Sequence, residues 1–310
     1  QALYHRLDFI SDLHCDALLW GRNLNRREDR GHVDFPRMQE GNAAMQVFTI
    51  VSKSPKGQNM EVNSEDATDN ITLLNIAQGR PVSNWFSLMK RTLYQSAQLE
   101  EFSRDFDGQF MIIKSSEDVK KLAEARKTDK NIIGGLLGIE GGHALEGKIE
   151  NLDKVYEAGV RLIGPSHFFD NELGGSAHGM SGEGLTDFGK AVVKRMNELN
   201  MVIDLAHASP KMFDDVLELS SKPVMVSHTG IRAVLNSPRN LSDDQVRRLA
   251  AKGGIIGIAF FDMAVGSDEI KGIVNEAGLE ITELSTHLQG QLVAVHPAYN
   301  ELFDGFAPAN

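Results

Sequence analysis

At 310 residues the chain exceeds an ordinary single domain and has room for one α/β barrel, which typically takes about 250 residues. Hydrophobic residues make up 41% and charged residues 24%, and no apolar run reaches the roughly 18 residues of a bilayer crossing, so a globular chain with no membrane-spanning segment is expected. The 32 basic residues lie scattered among 43 acidic ones, and the net charge of −11 repels phosphate backbones, which excludes nucleic acid as an expected partner.

Residues 7–13 read as a first strand and 44–51 (AMQVFTIV) as a second, introduced by the turn pair Gly41-Asn42. The polar stretch 52–70 reads as an exposed loop that shapes a pocket. Helices are expected at 71–77 and 85–106, and Ser115-Ser116-Glu117-Asp118 caps another that runs to 126. From there strand and helix alternate: strand 132–139, helix 151–158, strand 160–165, helix 186–199, strand 201–205, helix 210–219, strand 224–227, helix 242–251 and strand 254–260. This rhythm predicts parallel strands, seven of them by residue 260. The expected fold is an α/β (β/α)8 barrel of the metal-dependent hydrolase kind, with an atypical or incomplete C-terminal part.

Five of these strands stop at a residue type that holds metal. The first runs into SDLHCD, where His14 and Asp16, two apart, are expected on one face. The others stop at Glu140, His167, His207 and His228. A single histidine after a strand is more often a hydrogen-bonded structural residue than a ligand. Five such strand ends change that reading, because converging imidazoles and carboxylates would each cost about 1–3 kcal/mol if desolvated and unpaired, and a bound cation removes that cost. Imidazole and carboxylate without thiolate suit zinc, with manganese, cobalt and iron left open. Glu140 lies on a strand between the histidine strands and suits a bridging role, and two metals about 3.5–4 Å apart generate hydroxide for hydrolysis at neutral pH. Cys15, the single cysteine, is read as a packing residue, so no disulfide framework is expected.

The segments SDLHCDALLW, GLLGIEGGHALEG, GVRLIGPSHFFDNE, GLTDFGKAVVKRMNELNMVIDLAHAS and PVMVSHTGIRAVLNSPRNLSDDQVRRLAAKGGIIGIAFF resemble the membrane (renal) dipeptidase family of metallopeptidases over residues 8–265. That resemblance implies a zinc dipeptidase that hydrolyses small dipeptides through a hydroxide bridging two Zn2+ ions. It implies His14 and Asp16 as ligands of one metal, Glu140 as the carboxylate shared by both, and His207 and His228 as ligands of the other. It implies His167 as the group polarising the scissile carbonyl and Arg239 as the fork for the substrate's carboxylate. On sequence alone Arg239 reads equally as a helix cap or a partner of Asp243 or Asp244. His143 is read as a ligand's neighbour or as solvated, and His178 as a pocket border or as loop.

The family continues with a Gly-Ser-Asp-Phe-Asp-Gly segment whose first aspartate acts on the nucleophilic water. Gly266-Ser267-Asp268 follows the last strand too closely to be its counterpart. From residue 278 the tail (GLEITELSTHLQGQLVAVHPAYNELFDGFAPAN) instead resembles a piece of the sugar-phosphate isomerase/epimerase barrels. Residues 279–285 are expected to stand in for the eighth strand, with Thr286 and His287 at its end. The expected division is therefore a metallo-dipeptidase-like barrel over 1–268 and an atypical tail over 269–310. Lacking the aspartate, and with Glu283 and Asp304 read as poor substitutes, such a chain is expected to lose about 10²- to 10⁴-fold in proton transfer. Two rival readings stand: a hydrolase of lactones or N-acyl amino acids, and a non-catalytic metal- and peptide-binding protein. A homodimer through an apolar patch is an expectation. Because the chain begins at Gln1, residues ahead of it are expected to have been processed off or left out of the sequence. The compartment is left open, with the cell envelope or a secreted location favoured over the cytoplasm.

Overall fold

The computed structural model describes residues 7–259. Asp268, the tail strand at 279–285, Thr286, His287, Glu283 and Asp304 lie outside the described residues. Two compact units divide the chain. One takes the residues up to Lys53 together with Ile71–Ile163, and the other takes Ser54–Asn70 with the residues from Gly164 on.

In the first unit β1 (Ile10–Cys15) pairs in parallel with β2 (Ala43–Val51), and β2 pairs with β4 (Ile133–Glu140) from Met45↔Gly134 to Val51↔Glu140. The short β3 (Phe110–Ile112) pairs with the start of β4, and β5 (Val160–Gly164) follows β4 in the sheet. The glycines of β4 mark close approach: a Cβ on Gly135 would stand 2.3 Å from the Phe110 ring. Phe110 stacks on Phe35 at 4.0 Å, and Phe48 meets Phe35 edge-on, so the core under β2 and β4 is aromatic. Helix Leu88–Asp105 packs there and buries Arg91, whose guanidinium donates to the Ser52, Asn84 and Trp85 carbonyls and to Thr72 Oγ1. That cation is buried because its fork is spent on carbonyls at the end of β2 and on the neighbouring helical turn.

The second unit carries β6 (Val202–Ile203), β7 (Met225–Thr229) and β8 (Ile255–Ile258). Asp204 bridges in parallel to Met225, and β7 pairs in parallel with β8. The helices that precede each of these strands begin on side-chain caps: Thr186 for Asp187–Glu198, Ser209 for Pro210–Leu219, and Ser242, reciprocated by Gln245, for Asp243–Ala251. Their apolar faces bury Val192, Val193, Met196, Phe213, Val216 and Leu249.

The parallel α/β rhythm follows the sequence expectation, with local differences. β3 is an additional strand of three residues, so β8 corresponds to the expected seventh. The expected helix 85–106 is two, Ser83–Phe86 and Leu88–Asp105, parted at Ser87. Ser87 is extended (φ −135°, ψ 123°) because its hydroxyl and the Met89 N–H both bind the Glu146 carboxylate, and Ser87 also caps the second helix. Asp16 lies past the end of β1: its backbone (φ −87°, ψ 28°) leaves the strand and opens a 3-10 turn at Ala17–Leu19.

Candidate functional site

In the first unit the end of β1 and the end of β4 bring together His14, Asp16 and Glu140, with one ligand atom of each within 4.8 Å of the others. His14 Nε2 stands 3.3 Å from Asp16 Oδ1 and 3.5 Å from Glu140 Oε1, and all three side chains are buried or nearly so. Strand alternation does not bring His14 and Asp16 together; the turn at Asp16 folds its carboxylate back toward the imidazole. Thr49, inside β2, completes the group by donating its hydroxyl to Asp16 Oδ1 at 2.6 Å. Gly141 follows Glu140 with φ +100°, where a Cβ would sit 2.1 Å from Cε1 of the buried His143; only glycine allows that ring to fold back against the backbone there.

In the second unit the ends of β6 and β7 bring His207 Nε2 within 3.2 Å of His228 Nε2. The His167 ring lies 4.8 Å from that of His207 and perpendicular to it, and 4.7 Å from Phe168. His167 is fully buried and Arg239 nearly so. Burial first, and then the charge of Arg239 and the surrounding imidazoles, hold the His207 imidazole far below its ordinary pKa, so it is neutral and able to ligate at neutral pH. Thr229 Oγ1 donates to the Arg239 carbonyl at 2.9 Å and fixes its backbone. Asp243 and Asp244 lie exposed beside Arg247 and Arg248.

His178 is also buried here. Its ring stacks on Phe168 at 4.9 Å, and Nδ1 meets the Met60 carbonyl at 2.8 Å. The Asn63 amide donates to the His178 carbonyl, so residues from the loop 54–70 are pinned to this histidine at both its backbone and its ring. Burial lowers the His178 pKa to about 4, with Arg239 adding to the shift and the Met60 carbonyl opposing it. Cys15 is buried and free, and burial beside Asp12 and Asp16 pushes its thiol up, which keeps it protonated and inert.

Each cluster fits a divalent ion by the chemistry of its donors. Two nitrogens or oxygens held about 2.0–2.1 Å from one tetrahedral ion stand about 3.3–3.4 Å apart. The His14–Asp16 and His207–His228 separations match that spacing. Every residue that the sequence singled out as a metal ligand is thus found in one of two buried donor clusters, with His167 and Arg239 in the second unit. Sequence reading missed Thr49 and Asp204, the latter buried at the end of β6; the only signal was a polar residue inside an otherwise apolar strand.

A dipeptidase tcpJ from Claviceps purpurea is 26% identical over 277 residues, which are 89% of this chain and 59% of that one. An uncharacterized protein in a pqqA 5′ region of Klebsiella pneumoniae is 31% identical over 180 residues, 56% of this chain and 65% of that one. The chain therefore spans less than two thirds of either curated relative. A metallo peptidase from Rhodobacter sphaeroides, liganded with a phosphinate mimic of the dipeptide L-Ala-D-Ala, shares the fold with a TM-score of 0.63 at 22% identity, covering 95% of this chain and 82% of that one. Residues 2–289 match the family described as membrane dipeptidase, and the chain belongs to that family, peptidase family M19.

Proposed function

We propose that this chain is a zinc dipeptidase that hydrolyses the peptide bond of small dipeptides. The observation that carries the reading is the pair of buried imidazole and carboxylate clusters at metal-sharing distances in a chain of family M19. In this reading His14 and Asp16 hold one Zn2+, His207 and His228 hold a second, and Glu140 serves both. Bound there, the ions supply Lewis-acid polarisation and lower the pKa of water.

The chain's own side chains do the rest. Thr49 keeps the Asp16 carboxylate turned toward His14 by donating to Oδ1. His167 donates a ring N–H to the scissile carbonyl oxygen as charge builds on it. Arg239 takes the substrate's free carboxylate in a two-pronged grip, which selects substrates with a free C-terminus. Its neighbours His178 and His207 are held neutral, so neither adds a second positive charge beside the guanidinium. The likeness of the tail to a sugar-phosphate isomerase/epimerase rests on sequence alone, and the family match overlaps its first residues, to 289. Self-association belongs to the reading as well; Leu73, Ile76, Val82 and Phe86 are exposed apolar side chains of the first unit, and light scattering that returns a monomer removes it.

The test is metal stoichiometry measured beside hydrolysis of a dipeptide panel that includes D-residues at the second position, for the wild type, His14→Ala and Glu140→Ala. Dipeptide turnover with two metals per chain, lost in both variants, is expected. Full metal loading with turnover of lactones or N-acyl amino acids only, or with peptide binding and no product, overturns the reading.

A further inference from the structure

His228 sits on β7, where the pairing with β8 shifts register between Val226 and Thr229. In a regular strand Ser227 and His228 would face opposite sides of the sheet. The irregularity turns them toward each other, and Ser227 Oγ lies 2.8 Å from His228 Nδ1. Ser227 Oγ also donates to Oδ2 of Asp204, a buried carboxylate one residue beyond β6. The other oxygen of that carboxylate accepts from the backbone N–H of Ser227 at 2.9 Å and of Ala206 at 3.1 Å.

A hydroxyl has one proton to give. Here it goes to a carboxylate, which has none, so toward the imidazole the same oxygen can only accept. Nδ1 must then carry hydrogen, and Nε2, the atom that faces His207 at 3.2 Å, is left with its lone pair. The reverse direction would require a protonated Asp204 with two backbone N–H groups already aimed at it. We infer that Asp204 and Ser227 are positioning residues that fix the His228 tautomer: the chain Asp204–Ser227–His228 holds the imidazole with Nδ1 protonated and Nε2 ready to take a metal. This inference rests on the reading of His228 as a ligand, but its first consequence is visible without any metal.

The direction of the chain makes a sharp distinction between variants. In Asp204→Asn the amide oxygen stays with the two backbone donors and the amide NH2 faces Ser227. The hydroxyl must then accept from Asn and give its proton to Nδ1, which moves the imidazole hydrogen to Nε2 and blocks the ligand position. Ser227→Ala removes the link, and Ser227→Thr restores it.

The measurement is long-range 15N–1H correlation of the histidine rings in the metal-free full chain at a pH above the imidazole range, about 8.5, followed by zinc titration against a competing chelator. The wild type and Ser227→Thr are expected to show His228 as the Nδ1–H tautomer, and Asp204→Asn as the Nε2–H tautomer. Zinc affinity is expected to fall about 10- to 100-fold in Asp204→Asn and Ser227→Ala and to recover in Ser227→Thr. An Nε2–H tautomer in the wild type overturns the inference, and needs no variant to fold. So does an Asp204→Asn protein that keeps both tautomer and zinc affinity. A wild type that shows the expected tautomer and binds no zinc defeats the metal reading instead, leaving the hydrogen-bonded chain as a structural device.

Discussion

The hydroxyl of Thr49 illustrates how single side chains set the chemistry of this chain. It donates to Asp16 Oδ1 from inside a strand that is otherwise almost wholly apolar. Replacing it by valine keeps the shape and removes the donor, so Thr49→Val is expected to weaken zinc binding about 10- to 100-fold in a chelator competition, with the fold intact by circular dichroism. His178 gives a second residue-scale expectation. Its folded-state pKa, lowered by burial to about 4, lies below the ordinary value of 6.5, so the stability it contributes is whole above pH 6.5 and is lost as pH falls through 4. The shift corresponds to about 3 kcal/mol. Urea denaturation of the metal-stripped protein is expected to show His178→Phe losing that much less stability than the wild type between about pH 7 and pH 4; parallel profiles count against it. The clustered histidines and acids were legible because a histidine or acid that closes an apolar run sits where desolvation is costly, and must find a partner there. Thr49, Ser227 and Asp204 were not, because hydroxyls are common in strands and the partner of a buried carboxylate is set by tertiary contact alone.

At the scale of elements, helix starts were the most legible. Ser115, Thr186, Ser209 and Ser242 each cap the helix that the sequence placed after them. The break at Ser87 was hidden because its cause, Glu146, lies 59 residues away, and β3 was hidden because three residues show no alternation. The loop 54–70 is less exposed than its composition suggests. Asn63 is buried, its side chain exchanges hydrogen bonds with the Asn59 backbone, and its own amide donates to His178. Asn63→Ala is therefore expected to release this loop locally, with the Asn59 amide exchanging roughly fivefold faster, the equivalent of about 1 kcal/mol of lost hydrogen bonding. Unchanged exchange at Asn59 would show that the loop is held by other contacts.

For the whole molecule, the parallel strand–helix alternation was readable from period and caps, and the family from its motifs. Among the described residues no helix is long and apolar enough to cross a membrane. The division into two units was not readable, because the polar composition of 52–70 marks a loop and does not show that Ser54–Asn70 clusters with the residues from Gly164 on. If the proposed ligand sets hold metal, metal should couple to the stability of each unit, since His14, Asp16 and Glu140 in the first, and His207 and His228 in the second, are brought together only when that unit is folded. Zinc at about 100 times its dissociation constant is expected to add about 2.7 kcal/mol per site and raise the thermal midpoint by several degrees over a chelated sample. A midpoint that ignores zinc in calorimetry removes the metal from the folding equilibrium.

The strap between Ser54 and Asn70 also has a consequence for biosynthesis. Ribosomes deliver its Asn63 115 residues before the His178 carbonyl that receives it. At roughly 5–20 residues per second the strap waits about 6–23 s for its docking place to be made. During that interval the nascent first unit gains everything it needs up to Ile163, while these seventeen residues dangle from it as an unclaimed loop. Slowing translation just after residue 70 should therefore lengthen the time a protease can nick the emerging polypeptide there, and that vulnerability should close only once the Ser176–His178 turn has left the exit tunnel.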